Sequence, residues 1–317
     1  GHTVKLKDRT LEIAAKGKGS IWNDLTGRVG RGRSPFERDL IDARIEPVED
    51  YGTLKDVDLV IEAVLEDPAL KQAVLRDVEA VAQDTLVFAS NTSSIPIREL
   101  AAASKRPEQV LGMHYFSPVQ KLSLLEIVAT DKNPDWVLGT VFAAGRAQGK
   151  TPIIVGDAPG FYTTRVVALY MNEALLMVEE GVSIRDIDRA VRDFGFPVGP
   201  ITLLDEVGID VGAKINKVLK EPFAARGVTL STRGEALAQA GFLGRKSGKG
   251  FYLYGEGKGE KEPSDEALRL LGATRREADP REIQERLSLI MVNEAVLCLE
   301  EGVLRSPTDG DVGAVFG

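Results

Sequence analysis

One twelve-residue segment of the chain occurs twice. Met171-Asn172-Glu173-Ala174-Leu175-Leu176-Met177-Val178-Glu179-Glu180-Gly181-Val182 is answered by Val292-Asn293-Glu294-Ala295-Val296-Leu297-Cys298-Leu299-Glu300-Glu301-Gly302-Val303, 293 minus 172, or 121, positions later. Most aligned pairs are identical or exchange one apolar residue for another. An acidic turn and a Phe-Gly follow each copy, at Phe194-Gly195 and Phe316-Gly317. The first copy continues as Phe196-Pro197-Val198-Gly199-Pro200-Ile201-Thr202-Leu203-Leu204-Asp205; the second stops. The periodicity from about residue 156 onward is helical, so this part of the chain must build a helical unit and then begin it again.

Ahead of that point the pattern alternates between strand and helix. Leu86 to Ala89, Val110 to Met113 and Leu124 to Val128 are short continuous apolar runs, the signature of buried parallel strands. Asp58 to Val64 and Thr151 to Val155 add further strands, and the chain opens on one that ends in Asp8. Glu66-Asp67-Pro68 starts a helix running through Lys71 to about Ala82, with proline where a first turn tolerates it, and another helix spans Pro96 to about Ser104. This predicts an α/β domain over 1–155, a helical domain over 156–254, a polar Gly/Lys/Glu linker over 255–264, and a second, truncated helical copy over 265–317.

Open α/β sheets collect ligands at the carboxyl ends of their strands. His114 directly follows one apolar run. Glu126 stands inside the next, where an unpaired carboxylate is expensive, so it needs a partner, and His114 is the nearest candidate in sequence. Ser90-Asn91-Thr92-Ser93-Ser94 adds a hydroxyl cluster at another strand end. For Ser94 a helix N-cap is the simpler reading; for Ser93 cap and site are evenly balanced. Imidazole suits proton exchange near neutrality, and a neighbouring carboxylate favours its charged form. Asp8 stands where the second strand of a dinucleotide-binding unit holds ribose hydroxyls, although an Asp after a strand is also a common turn or cap residue. The strand end from Ala63 to Glu66 forms a second cofactor-facing edge. Gly27-Arg28-Val29-Gly30-Arg31-Gly32 has the wrong glycine order for a phosphate loop and no strand ahead of it, and is expected to be a flexible loop.

Composition narrows the class. A net charge of -8 argues against wholesale nucleic-acid binding, and the locally basic stretch Lys5 to Arg33 is either a solvated surface or a meeting point for a phosphorylated ligand. No apolar run reaches membrane-spanning length, no signal peptide is visible, and no metal site is expected. The single cysteine, Cys298, excludes an internal disulfide and suits a reducing compartment.

Taken together, Ile61 to Lys71, Ser90 to Ser94, Gly112 to Pro118, Leu124 to Ile127, Pro159 to Arg165, Phe194 to Pro200 and Gly244 to Tyr252 resemble the L-3-hydroxyacyl-CoA dehydrogenase family over nearly the whole chain. The repeat and the wording Tyr162-Thr163-Thr164-Arg165 look most like the dehydrogenase portion of the multifunctional fatty-acid β-oxidation α-subunit. The resemblance implies an α/β Rossmann-type N-terminal domain followed by an all-α helical domain with an internal repeat. It also implies NAD-dependent oxidation of a 3-hydroxyacyl-CoA to the 3-ketoacyl-CoA. By matching position, His114 is the general acid/base, Glu126 orients it, and Ser93 and Thr164 contact the substrate oxygen region. Asp8, Ala63, Val64, Glu66, Lys71, Ser93 and Ser117 surround NAD. Many family members carry Asn at the positions of Ser117 and Thr164; a hydroxyl cannot reproduce an amide's donor-acceptor pair. An oligomer, a thiolase partner subunit and a bacterial cytoplasm, in preference to a mitochondrial matrix, complete the implied picture.

In that family a glycine-rich turn precedes the position of Asp8, and here no sequence stands there to hold it. In the usual strand order 3-2-1-4-5-6 the first strand is central, so the expectation is an incomplete Rossmann domain and a fragment poorly competent for NAD. Two other readings stand beside the dehydrogenase: a non-catalytic scaffold of the β-oxidation complex, and a dehydrogenase for a free 3-hydroxyacid. Asp8 favours NAD over NADP because its charge repels a 2′-phosphate, an inference that Arg9 weakens.

Overall fold

Several helix starts along the chain are marked by side-chain caps that satisfy amides the helix itself leaves open. In the computed structural model, which describes residues 2–255, 261–272 and 276–317, Thr10 caps α1 (Leu11–Gly27) and Asp67 caps α3 (Pro68–Glu79). Ser34 and Glu37 form a reciprocal capping box at α2 (Pro35–Asp42). The chain separates into two units, one of residues up to 90 with 99–111, the other of 91–98 with 112–317.

In the first unit β1 (Val4–Lys7) pairs in parallel with β2 (Ile45–Val48), and β3 (Leu59–Glu62) pairs in parallel with β4 (Val87–Ser90). Among the described residues β1 pairs with no strand but β2, and β3 with none but β4. Part of the basic stretch is offset by carboxylates, with Lys5 on Glu46, Lys18 on Asp42 and Arg28 on Asp24. The loop expected over Gly27–Gly32 is an ordered reversal: Gly30 and Gly32 take φ of +78° and +97°, and the Gly30 amide donates to the carbonyl of Arg33. The helix expected to reach Ala82 ends at Glu79.

In the second unit the short α4 (Ile97–Ala101) starts, and β5 (Val110–Tyr115) enters at Gly112. β6 (Leu124–Ala129), α5 (Asp135–Ala147) and β7 (Thr151–Gly156) follow. The expectation of uniformly parallel strands is corrected here. β6 runs parallel to β7 but antiparallel to β5, with Gly112 opposite Val128 and His114 opposite Glu126. Only residues 116–123 join β5 to β6, and a parallel crossover needs about a dozen or more. Gly112 makes the pairing possible, since a Cβ there would lie 2.8 Å from that of Val128.

The helical part consists of α6 (Thr163–Glu179), α7 (Ile184–Phe194), α8 (Pro200–Val207), α9 (Ile209–Ala224), α10 (Arg233–Gln239), α11 (Asp265–Leu271), α12 (Pro280–Glu300) and α13 (Pro307–Phe316). α6 is buried on nearly every face, as an apolar all-round sequence requires. Its Met171, Leu175 and Val178 share a core with Ile187 and Val191 of α7, Ile201 of α8, Leu237 of α10, and Ile283 and Leu287 of α12. Each such side chain contributes about 1.5–3 kcal/mol on burial.

The expected linker is corrected in its described part. Tyr252–Leu253 (β8) pairs with Glu262–Pro263 (β9), and buried Ser264 caps α11, because these residues have the hydrogen bonds and burial of a folded segment. Residues 256–260 of that linker lie outside the described residues. Among the described residues no helix is long and apolar enough to cross a membrane.

The two repeat copies lie on helices that pack against each other, α6 on α12. Arg165 in the first turn of α6 pairs with Glu294 and Glu301 near the end of α12. Arg286 near the start of α12 pairs with Glu173 and Glu180 toward the end of α6. The helices are therefore antiparallel. Arg165 and Arg286, Glu173 and Glu294, and Glu180 and Glu301 are each 121 positions apart, so the pairing is reciprocal, as in a two-fold contact.

Candidate active site

In the second unit the antiparallel register brings His114 of β5 opposite Glu126 of β6. His114 Nδ1 lies 2.7 Å from Glu126 Oε2, and both residues are buried. An ionised carboxylate only accepts, so beside it the proton sits on Nδ1, and in a neutral ring Nε2 keeps its lone pair. The imidazole ring lies 4.5 Å from the Phe116 ring and 5.6 Å from that of Phe161, centroid to centroid. Phe161 is fully buried with φ of +50°, in a region that non-glycine residues rarely occupy.

The second oxygen of Glu126 is claimed by Thr163, whose amide donates at 2.8 Å and hydroxyl at 2.9 Å. Both carboxylate oxygens are thus directed, one toward the imidazole and one toward the start of α6. Thr164, the position singled out by sequence, is half-buried on the next residue of the helix. The adjacent Thr163 supplies the bonds to Glu126.

Ser93 lies half-buried in the turn before α4. The Thr92 hydroxyl accepts from the amides of Ser94 and Ile95. The Asp157 carboxylate, just beyond β7, accepts from the amides of Ile97 and Arg98 at the start of α4. The Asn91 side chain accepts from the amide of Tyr115, fixing the end of β5. Ser117 is exposed just beyond, before a cis Ser117–Pro118 bond.

The proposed cofactor residues Asp8, Ala63, Val64, Glu66 and Lys71 all lie in the first unit. Asp8 follows β1 and accepts from the Arg9 amide. Ala63, Val64 and Glu66 form an exposed edge after β3. Lys71 is the exception: it is buried beneath that edge, because its ammonium is taken up by Glu62 at 2.9 Å and the Val64 carbonyl at 3.2 Å. It shapes the edge from below. Glu62 is also buried and accepts from the Val64 amide at 2.6 Å and the Ser90 hydroxyl at 2.6 Å. Its own burial is tolerated because each oxygen is paired.

Sequence reasoning missed Thr163, Asp157 and Glu62. For Glu62 a signal was present, a carboxylate in an apolar strand nine residues before a lysine on the following helix. For Thr163 and Asp157 the partners lie 37 and about 60 positions away, with no local mark.

Comparison with known proteins gives a consistent result. Residues 1–158 match the family model described as 3-hydroxyacyl-CoA dehydrogenase, NAD binding domain, and residues 160–254 match 3-hydroxyacyl-CoA dehydrogenase, C-terminal domain. A fatty acid oxidation complex subunit alpha from Shewanella amazonensis is 49% identical over 285 residues, covering 89% of this chain and 40% of the relative. The chain therefore spans about 40% of the length of such curated relatives. Among solved structures, a 3-hydroxybutyryl-CoA dehydrogenase from Escherichia coli matches with a TM-score of 0.89 at 26% identity, over 100% of this chain and 84% of that one. A (S)-3-hydroxybutyryl-CoA dehydrogenase from Ralstonia eutropha matches with a TM-score of 0.77 at 32% identity, over 80% and 91%.

Proposed function

The chain belongs to the 3-hydroxyacyl-CoA dehydrogenase family, and on that premise we propose that its parent protein oxidises an L-3-hydroxyacyl-CoA to the 3-ketoacyl-CoA, with His114 as general base. The observation that carries this reading is the buried His114–Glu126 contact of 2.7 Å, with the second Glu126 oxygen held by Thr163.

NAD is the family's cofactor, and the first unit offers a donor set that fits its non-reacting part. A carboxylate at the end of β1, Asp8, suits a ribose diol, and the exposed residues Ala63, Val64 and Glu66 after β3 offer backbone and carboxylate groups. Bound NAD supplies the acceptor for the hydride leaving C3. The chain's residues handle the proton. His114 Nε2 takes the hydroxyl proton as the C3–O bond becomes a carbonyl, and the resulting imidazolium is stabilised by Glu126 through Nδ1–H. Ser93 and Thr164 are assigned to the substrate oxygen, Ser93 also to the cofactor, and Ser117 to the cofactor. Buried Phe161 and half-buried Phe116 shield the ring from water.

The relatives' designation as alpha subunits supports assembly of the parent in a multi-subunit complex, for which a thiolase subunit is the proposed partner, in a bacterial cytoplasm.

The test is steady-state oxidation of 3-hydroxybutyryl-CoA with NAD by the full-length protein and its His114→Gln variant. Turnover falling by about 10²- to 10⁴-fold with NADH binding unchanged supports the assignment. Wild-type turnover in the variant defeats it.

A further inference from the structure

We propose that α12 and α13 of the second helical copy, within residues 280–317, are a positioning element for the catalytic pair, with Glu294 as the principal residue. This rests on the functional reading of His114 and Glu126 given above.

Thr163 directs Glu126, and its two flanking anchors belong to the second copy. On one side, the Tyr162 hydroxyl donates to the carbonyl of Gly310 in α13 at 3.0 Å. Tyr162 lies so close to α13 that a Cβ on Gly313 would come within 2.7 Å of its ring. On the other side, Arg165 is held by Glu294, at 2.6 Å from Nη2 and 2.8 Å from Nε, and by Glu301 at 2.7 Å. Glu294 is fully buried and also takes Arg226 at 3.0 Å. The end of β7 is closed by the same copy, the Gly156 amide donating to the Val303 carbonyl at 2.8 Å.

Catalytic groups must be held to about half an ångström, and α6 begins at the residue that holds Glu126. Its first turn is therefore the place where a distant packing contact reaches the proton-transfer geometry. The repeat also provides an internal control. The equivalent pair, Arg286 with Glu173 and Glu180, lies at the opposite end of the same two helices, away from Thr163.

The experiment compares Glu294→Gln with Glu173→Gln in the full-length protein, measuring kcat, KM, thermal midpoint and hydrogen exchange of a peptide covering 159–166. Expected is a loss of about tenfold or more in kcat for Glu294→Gln with KM for the acyl-CoA little changed, and faster exchange at 159–166. Glu173→Gln is expected to lower the thermal midpoint while leaving kcat and that peptide as in wild type. Equal behaviour of the two variants in kcat and exchange overturns the proposal. If Glu294→Gln does not fold, Tyr162→Phe, which leaves the ion pairs intact, must still reduce kcat and loosen 159–166; wild-type values there overturn it. Absence of turnover in the wild type would count against the functional reading alone, since exchange at 159–166 still tests the positioning.

Discussion

Thr163 spends both of its donors, backbone amide and side-chain hydroxyl, on the single oxygen Oε1 of Glu126. The other oxygen meets His114 at 2.7 Å, so the carboxylate cannot rotate without losing bonds on both sides. Orientation of the imidazole is thereby tied to the start of α6.

Replacing Thr163 by Val keeps shape and amide but removes the hydroxyl. A hydrogen bond to a charged group contributes about 1.5–3 kcal/mol, and that is the expected loss of stability. Turnover is expected to fall about tenfold through misorientation of Glu126. Thermal unfolding and steady-state kinetics of Thr163→Val and Thr164→Val check this: Thr164→Val, which touches no bond to Glu126, should unfold within about 0.5 kcal/mol of wild type.

Lys71→Met leaves the Glu62 carboxylate buried with its cation removed, which typically costs about 3–5 kcal/mol. Adding Glu62→Gln removes the stranded charge, and the double variant is expected to be more stable than Lys71→Met alone. Denaturant unfolding of the single and double variants decides it; a double variant less stable than the single would refute the pairing as drawn. NADH affinity is expected to weaken in Lys71→Met because the Ala63–Glu66 edge loses its support.

The reciprocal ion pairs predict an acid response. Hydrogen bonding by Arg165 holds the Glu301 carboxyl below its ordinary range, and Arg286 does the same for Glu180. A carboxyl depressed in the folded state contributes stability that is fully present above its unfolded value, about 4.3, and is lost as pH falls through the lower folded value. The thermal midpoint should therefore fall as pH drops below about 4.3. Glu180→Gln with Glu301→Gln should flatten that dependence.

All six tyrosines, at 51, 115, 162, 170, 252 and 254, have phenols raised above the ordinary value, in each case chiefly by burial. Tyr162 is pushed up to about 12. Phenols raised on folding contribute stability that is present below the unfolded value of about 10 and lost as pH rises through the folded values. Absorbance titration of the folded protein should show the phenolate rise displaced above about 10, and stability should decline above it. A full-amplitude step at that pH would contradict the burial described.

Much of the architecture follows from periodicity alone. Short apolar runs marked β4, β5 and β6, helical spacing marked α6 and α12, and the 121-residue repeat matched the two copies. Glu126 inside an apolar run required a partner, and the cost of burying a lone carboxylate made His114 legible as that partner. These are local properties, set by the residues' own spacing and solvation.

Direction and distance belonged to the tertiary structure. The antiparallel turn of β6 against β5 comes from how a short connection closes, and it is what sets His114 opposite Glu126. Thr163 reaches Glu126 because helix phase decides which hydroxyl faces the strand. Asp157 meets α4, and Arg165 meets Glu294, across about 60 and 129 positions, where one sequence carries no pairing signal. The chain by itself determined which groups could do proton chemistry; packing decided which neighbours hold them still.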